Sequence, residues 1–469
     1  MLKIFRHHIP IGSLVEVIAD SLLCFAAVLI ASAGLPGGLH DAQSHGFLTS
    51  DVLLWAAGFA GFMSLLFSFV GLYRRGAIHV SLRAMLNRGL VALFMGACIA
   101  YLALQVEGNR YDVARLITYS LPLMAVGVLM VRSIGYLARR MAVGARRVLI
   151  VGTGADAQGV ACHLASDTAA RHILVGFYPA GVDEPSVQGL PGAIFSTRTS
   201  LDDLVREHRV DEVIVAVREQ RGGTVPMDKL LSCRIRGVPI LDLAGFSERS
   251  RGEVPLDSLK ASWLVYGHGF AQDRLRAAVK RMFDLLVSAA LLVISAPVMI
   301  LTAIAIKLES PGPVIYRQER VGFGGRIFMC LKFRSMCVDA ERDGVARWAT
   351  KDDTRITRVG SFIRKCRIDE LPQLFSVLRG EMSMVGPRPE RPAFVKQLQA
   401  EIPFYDIRHS IKPGVTGWAQ VRYSYGASVE DARRKHQFDL YYVKNHSLFL
   451  DLLVLIETVS VVVFREGAQ

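Results

Sequence analysis

The 469-residue chain is too long for one compact core and fits two or three domains. Hydrophobic residues make up 51% and charged residues 21%, with a mean hydropathy of +0.33, which excludes a wholly water-soluble protein. A net charge of +13 suits phosphate-bearing substrates or an anionic membrane surface, and the apolar content argues against nucleic acid as the partner.

Four apolar runs, at residues 14–34, 52–72, 89–106 and 113–137, each approach the roughly 20 residues a spanning helix needs. They predict a membrane α-helical N-terminal bundle over residues 1–145. The first run is joined by three more, so it reads as retained rather than as a signal peptide. Lys3 and Arg6, then Arg74, Arg75, Arg83 and Arg88, then Arg139, Arg140, Arg146 and Arg147 place the flanking segments on the cytoplasmic side. The segments with Asp41 and Asp51, and with Glu107, Arg110 and Asp112, face outward.

Residues 146–260 change to an α/β pattern. Val148-Leu149-Ile150-Val151 reads as a buried strand that Gly152-Thr153-Gly154 turns into a helix. Strands are expected at 173–177, 211–217 and 238–241 and helices at 201–208 and 227–236, giving a small Rossmann-like domain resembling CoA-binding folds. Gly152 and Gly154 could admit a phosphate at the helix N-terminus. Tyr178-Pro179 stands where a ribose-binding acid belongs, which leaves a purely structural or regulatory domain open.

A fifth apolar run, 283–306, has cations on both flanks: Lys280 and Arg281 before it, Lys307, Arg317 and Arg320 after it. Ser295-Ala296-Pro297 breaks its middle, since proline removes a helix hydrogen bond and a serine hydroxyl can satisfy freed backbone groups. A helix that enters one leaflet and returns fits both features; a Pro-kinked fifth span is the alternative. The seven cysteines contain no C-x-x-C pair, so neither a disulfide framework nor a zinc site is indicated, and a reducing cytosolic setting fits.

Beyond Lys307, cations recur among glycine, proline and aromatic residues: Lys332-Phe333-Arg334-Ser335-Met336, Arg364-Lys365-Cys366-Arg367 and Gly386-Pro387-Arg388-Pro389. Arginine forks match phosphate oxygens, and flanking prolines fix the backbone of Arg388. Among them Asp369-Glu370-Leu371-Pro372 reads as a helix start, with Asp369 near the N-cap. Neighbouring helical side chains diverge by about 100°, so one carboxylate could attack while the other holds Mg2+ between protein and substrate phosphates. An exposed capping pair is the plain alternative.

These motifs, with Lys412-Pro413-Gly414-Val415-Thr416-Gly417-Trp418, make residues 274–469 resemble the bacterial sugar transferases, the monotopic phosphoglycosyl transferases. The whole chain looks like the long form of that family, close to the sugar transferases of PEP-CTERM exopolysaccharide systems. The resemblance implies a mostly α catalytic domain with a re-entrant membrane helix, on the cytoplasmic face of a bacterial inner membrane, and leaves a homo-oligomer open. It implies transfer of a hexose 1-phosphate from a UDP sugar to undecaprenyl phosphate, with release of UMP, to begin exopolysaccharide synthesis. Asp369 matches the family's nucleophile, which forms a covalent phosphosugar intermediate. Glu370 matches a residue associated with Mg2+, to which Asp369 would also contribute; Lys332, Arg334, Arg364 and Arg388 match phosphate-binding positions. Cys366 departs from the usual Thr or Ser, and Ser-Ala-Pro from the Ser-Pro of some members.

Two other classes remain open. A membrane-anchored nucleotide-sugar dehydratase or epimerase needs Tyr-x-x-x-Lys, a spacing that none of the 13 tyrosines provides. A non-enzymatic export scaffold would predict no dependence on Asp369. Neither the sugar nor the middle domain's ligand is readable.

Overall fold

The computed structural model describes residues 2–4, 7–9, 11–33, 50–73, 82–106, 113–140, 145–166, 172–181, 187, 189–217, 225–256, 259, 274–337, 355–423, 426 and 428–464. Arg74, Arg75, Asp41, Glu107, Arg110 and Asp112, which carry part of the expected orientation, lie outside these. The chain forms two compact units, one holding His8–Phe246 and the other Ser247–Gln469.

The first unit opens with four helices, Ile11–Ala33, Ser50–Phe69, Leu82–Val106 and Val113–Arg140. The stretches Gly12–Ser32 and Thr118–Gly135 are long and apolar enough to cross a membrane, while Leu53–Phe69 and Leu86–Tyr101 are shorter apolar helical stretches. Apolar side chains such as Leu22 and Phe94 point outward, and polar ones are buried. Arg132 bonds Glu16 at 2.8 Å and also Asp20, and Tyr73 donates to Asp20 at 2.8 Å. Charge inside and hydrocarbon outside is the arrangement a bilayer demands. Hydropathy alone did not reveal this pairing.

The same unit carries a four-stranded parallel sheet of His172–Tyr178, Arg146–Val151, Glu212–Val215 and Ile240–Asp242, in that spatial order. Helices Ala155–Ser166, Leu201–Glu207 and Met227–Ile235 connect the strands. Gly152 follows the first strand at φ +120°, and a Cβ there would meet the Ala216 carbonyl at 3.0 Å, so this turn requires glycine.

The second unit begins with Ser247–Leu256 rather than near residue 274. Val254 and Leu256 are buried with Trp418, Tyr441 and Leu440 in its core, and Trp418 Nε1 donates to the Gly252 carbonyl at 2.7 Å. Glu253 is ion-paired with Arg434 at 2.9 Å. A chain begun at Gln272 is therefore expected to lose about 3–6 kcal/mol relative to one begun at Ser247, from the two apolar side chains alone; thermal unfolding of the two truncations checks this.

One helix, Arg274–Glu309, runs without interruption through Pro297. The expected break at Ser295 and Pro297 is not an end of the helix: proline forfeits one amide donor and crowds the preceding turn, which helical bonding on either side can absorb. Ser295 Oγ lies 3.6 Å from Met299 Sδ rather than on a freed carbonyl. The rest of the unit is less helical than expected, with the hairpin Ile315–Val321/Ile327–Phe333 and the parallel pair Ser383–Val385/Gly414–Thr416 set among helices.

Candidate active site

Asp369 and Glu370 sit at a corner between helices Arg358–Lys365 and Gln373–Arg379. Thr357 caps the first of these by accepting from the Gly360 amide at 2.9 Å. Arg367 then adopts a left-handed conformation (φ 58°), and Ile368–Glu370 form a single 3-10 turn. This corrects the expected helix start: the left-handed residue reverses the chain first, and the second helix begins only at Gln373. Both residues are buried, each 8% exposed, which also disposes of an exposed capping pair.

Their surroundings differ sharply. Glu370 Oε1 accepts from Lys332 Nζ at 2.9 Å and from Arg388 Nη2 at 2.6 Å. Burial alone would raise the Glu370 carboxyl, but Arg388 and Lys332 hold it well below the usual range. Asp369 makes no hydrogen bond or ion pair among the described residues. Burial, then the negative charge of Glu370, push its carboxyl upward against Lys332, Arg388 and Arg364. Glu370→Gln removes the like charge and should shift the protonation of Asp369 to lower pH. Carbodiimide labelling of Asp369, which needs the protonated acid, would then fade at a lower pH than in the parent protein.

Lys332 comes from the hairpin and Arg388 from the loop after Ser383–Val385. That loop is fastened on several sides. The Gly386 amide donates to Thr416 O at 2.9 Å and the Gly414 amide to Pro387 O at 3.0 Å. A Cβ on Gly386 would lie 2.4 Å from the Lys412 carbonyl, which explains the glycines of both motifs. Arg320 Nη1 donates to Pro389 O at 3.0 Å, and Arg408 Nη2 to Arg388 O at 2.8 Å. Arg408 is itself buried against Asp439 at 2.9 Å.

Arg364 is half-buried beside Asp369, with no ion pair among the described residues. Arg334 does not join the cluster. Its guanidinium donates to Pro311 O at 2.8 Å and to Ser310 O and Oγ, each at 2.8 Å, tying down the chain where helix Arg274–Glu309 ends. The strand stops at Phe333, so the two-residue repeat that would have aimed Arg334 alongside Lys332 is lost. Arg367, named from sequence only as the end of a basic motif, acts electrostatically on Glu370, and the pair Arg408 and Asp439 was missed from sequence. A left-handed non-glycine residue and a contact between distant segments leave no local signature.

Among the described residues no three His, Cys, Asp or Glu gather to hold a metal. The two carboxylates fit Mg2+ only as an ion shared with substrate phosphates, because Glu370 Oε1 is already engaged by two cations. In the first unit, Gly154 has open space around it, but Asp156 puts an acid in the first turn of the following helix, where a phosphate would sit. Tyr178 and Lys229 meet at 3.2 Å, but the tyrosine is 2% exposed and its hydroxyl also bonds the Thr199 carbonyl, so the pair is structural.

Cations outnumbering carboxylates around one acid that has no partner among the described residues are suited to a phosphorylated substrate. Residues 275–465 match the family described as bacterial sugar transferase. The chain is 42% identical over 261 residues to a UDP-N-acetylgalactosamine-undecaprenyl-phosphate N-acetylgalactosaminephosphotransferase of Aeromonas hydrophila, covering 56% of this chain and 61% of that protein. It is 37% identical to an undecaprenyl-phosphate glucose phosphotransferase of Komagataeibacter xylinus, over 69% of this chain and 60% of that one. It is 33% identical to a UDP-glucose:undecaprenyl-phosphate glucose-1-phosphate transferase of Xanthomonas campestris pv. campestris, over 68% and 67%. The chain thus spans about three fifths of the first two relatives. It belongs to the bacterial sugar transferase family.

Proposed function

We propose that this protein transfers a hexose 1-phosphate from a UDP sugar to undecaprenyl phosphate in two displacements at Asp369. A carboxylate oxygen of Asp369 attacks the phosphorus bonded to the sugar, and the bond from that phosphorus to the bridging oxygen breaks with its electron pair leaving on UMP. An oxygen of the lipid phosphate then attacks the same phosphorus and displaces Asp369, giving a lipid diphosphate sugar. The observation that carries this is the division of labour between the two acids: Glu370 is locked by Lys332 and Arg388, while Asp369 has no hydrogen bond or ion pair among the described residues.

Arg364 and Arg388 would neutralise the pyrophosphate and the departing UMP, with Lys332 holding Glu370 in place through the same oxygen that Arg388 bonds. Mg2+ shared between Asp369, Glu370 and the substrate phosphates would supply further charge neutralisation. The relatives' names include both glucose and N-acetylgalactosamine, so the sugar is left to experiment.

A re-entrant reading of helix Arg274–Glu309 has support from both of its ends. Arg281 donates to Val377 O at 2.6 Å and Leu378 O at 2.8 Å, and Glu309 accepts from the Val359 amide at 3.1 Å. Taken straight, residues 281–309 would extend about 42 Å, longer than a bilayer's hydrocarbon core, yet both ends bond one compact unit. Val293 (76% exposed) and Ile294 (73%) lie between them as the lipid-facing stretch. The catalytic unit would then rest on the cytoplasmic face of the inner membrane, with the parallel-sheet region acting as a Rossmann-like accessory domain.

Full-length protein offered a panel of UDP sugars with undecaprenyl phosphate and magnesium should release UMP with one sugar far faster than with the others and yield the matching lipid product by mass spectrometry. Absence of UMP release with every sugar would refute the assignment.

A further inference from the structure

Asp284 is the only charged side chain in the apolar run 283–306, and such a charge persists on a lipid-facing helix where it is partnered inside the protein. It is 2% exposed. Its Oδ1 accepts from the Met384 amide at 3.1 Å and lies 3.1 Å from Ser383 Oγ. Lys280 Nζ stands 3.7 Å from the same oxygen and is bonded to Asp451 Oδ2 at 2.8 Å. The two displacements at Asp369 make no direct use of this buried acid.

Its partners point to another use. Strand Ser383–Val385 ends where the Gly386-Pro387-Arg388 loop begins, so a bond to the Met384 amide holds the chain four residues before Arg388. Three residues before Asp284 on the same helix, Arg281 donates to Val377 O and Leu378 O, in the last turn of the helix that follows Glu370. Helical residues three apart are neighbours, about 5–6 Å between Cβ atoms. One turn of a single helix therefore fastens both arms of the site, the one carrying Asp369 and Glu370 and the one carrying Arg388. The arms meet where Arg388 Nη2 donates to Glu370 Oε1 at 2.6 Å. The bonds of Gly386 to Thr416 and of Gly414 to Pro387 tie the loop to the neighbouring strand, whereas Asp284 ties it to the helix that also holds the acids.

We propose that Asp284 is a positioning residue of the transferase, acting through Arg388: by holding Met384 one helical turn from Arg281, it sets the Arg388 guanidinium against Glu370 and the donor's pyrophosphate. The proposal rests on the transferase reading above. What matters is an acceptor oxygen at the Met384 amide; the negative charge serves Lys280.

The test uses full-length protein in nanodiscs and reads donor kcat/KM at saturating undecaprenyl phosphate, with thermal unfolding of every variant alongside. Asp284→Ala should lower donor kcat/KM about 10–100-fold, the scale of a misplaced catalytic group. Asp284→Asn keeps an oxygen that can accept from Met384 and should stay within about threefold of the parent, even where loss of the charge beside Lys280 lowers its unfolding temperature. In an Arg388→Ala background, Asp284→Ala should add less than about a twofold loss, because the group it positions is gone. Ser383→Ala leaves the buried charge in place and gives a milder second cycle, about threefold alone and less than about twofold with Arg388→Ala; it decides the question if Asp284→Ala does not fold. Fully additive losses with Arg388→Ala, parent-like kcat/KM in Asp284→Ala, or an Asn variant as impaired as the Ala variant would each overturn the proposal. Absence of turnover by the parent protein with every UDP sugar would instead sink the transferase reading beneath it.

Discussion

Asp369→Asn is expected to reduce turnover by about 10⁴-fold or more, the scale seen when a covalent nucleophile is removed. Parent enzyme given donor without lipid acceptor should release UMP only to enzyme stoichiometry and retain the phosphosugar on Asp369; the variant should do neither. Folding should survive the change. Asp369 has no hydrogen bond or ion pair to lose among the described residues, and burial already opposes its charge, so a neutral amide of the same shape should leave the unfolding temperature level or higher. Loss of activity with intact stability separates a chemical role from a structural one. Near-normal turnover, or ternary kinetics with no adduct on intact-protein mass spectrometry, would remove Asp369 from the nucleophile's place.

The acid pair, the basic motifs and the apolar helices were legible because each is carried by residue type over a short stretch. What the sequence obscured was which partner each side chain takes. Lys332 and Arg388 lie far apart along the chain yet converge on one oxygen of Glu370, so the difference between the neighbouring acids is a tertiary property. Arg334 sits two residues from Lys332 and belongs to another part of the structure, because a strand ends between them. Ser247–Leu256 read as the tail of the middle domain, since its few apolar residues gain meaning only against Trp418 and Tyr441. The Arg132 pairing with Glu16 and Asp20 was hidden in the same way, inside runs whose average hydropathy masks single charges.

Arg408 is the residue whose importance local pattern least suggests, and its removal should have two effects that can be told apart. It donates to the backbone of Arg388 and pairs with Asp439, both partners buried to 6% and 4% side-chain exposure. Arg408→Met leaves Asp439 facing Glu390 with only Lys435 to balance it, and breaking a buried pair from one side costs about 3–5 kcal/mol. Burial already pushes the Asp439 carboxyl up to about 6, with Arg408 pulling the other way. Without Arg408 the folded-state value climbs further above that of the unfolded chain. A carboxyl raised by folding favours the folded state below the unfolded value and loses that contribution as pH rises, so the variant's deficit should shrink toward acid and be largest at neutral and alkaline pH. Adding Asp439→Leu removes the orphaned charge and should restore most of the stability, measured by thermal unfolding. It should not restore activity. The Arg388 carbonyl still lacks its donor, and a displaced guanidinium should cost about 10–100-fold in donor kcat/KM. Recovery of both stability and activity in the double variant would mean that Arg408 only steadies the fold; recovery of stability alone would make it a positioning residue acting through Arg388.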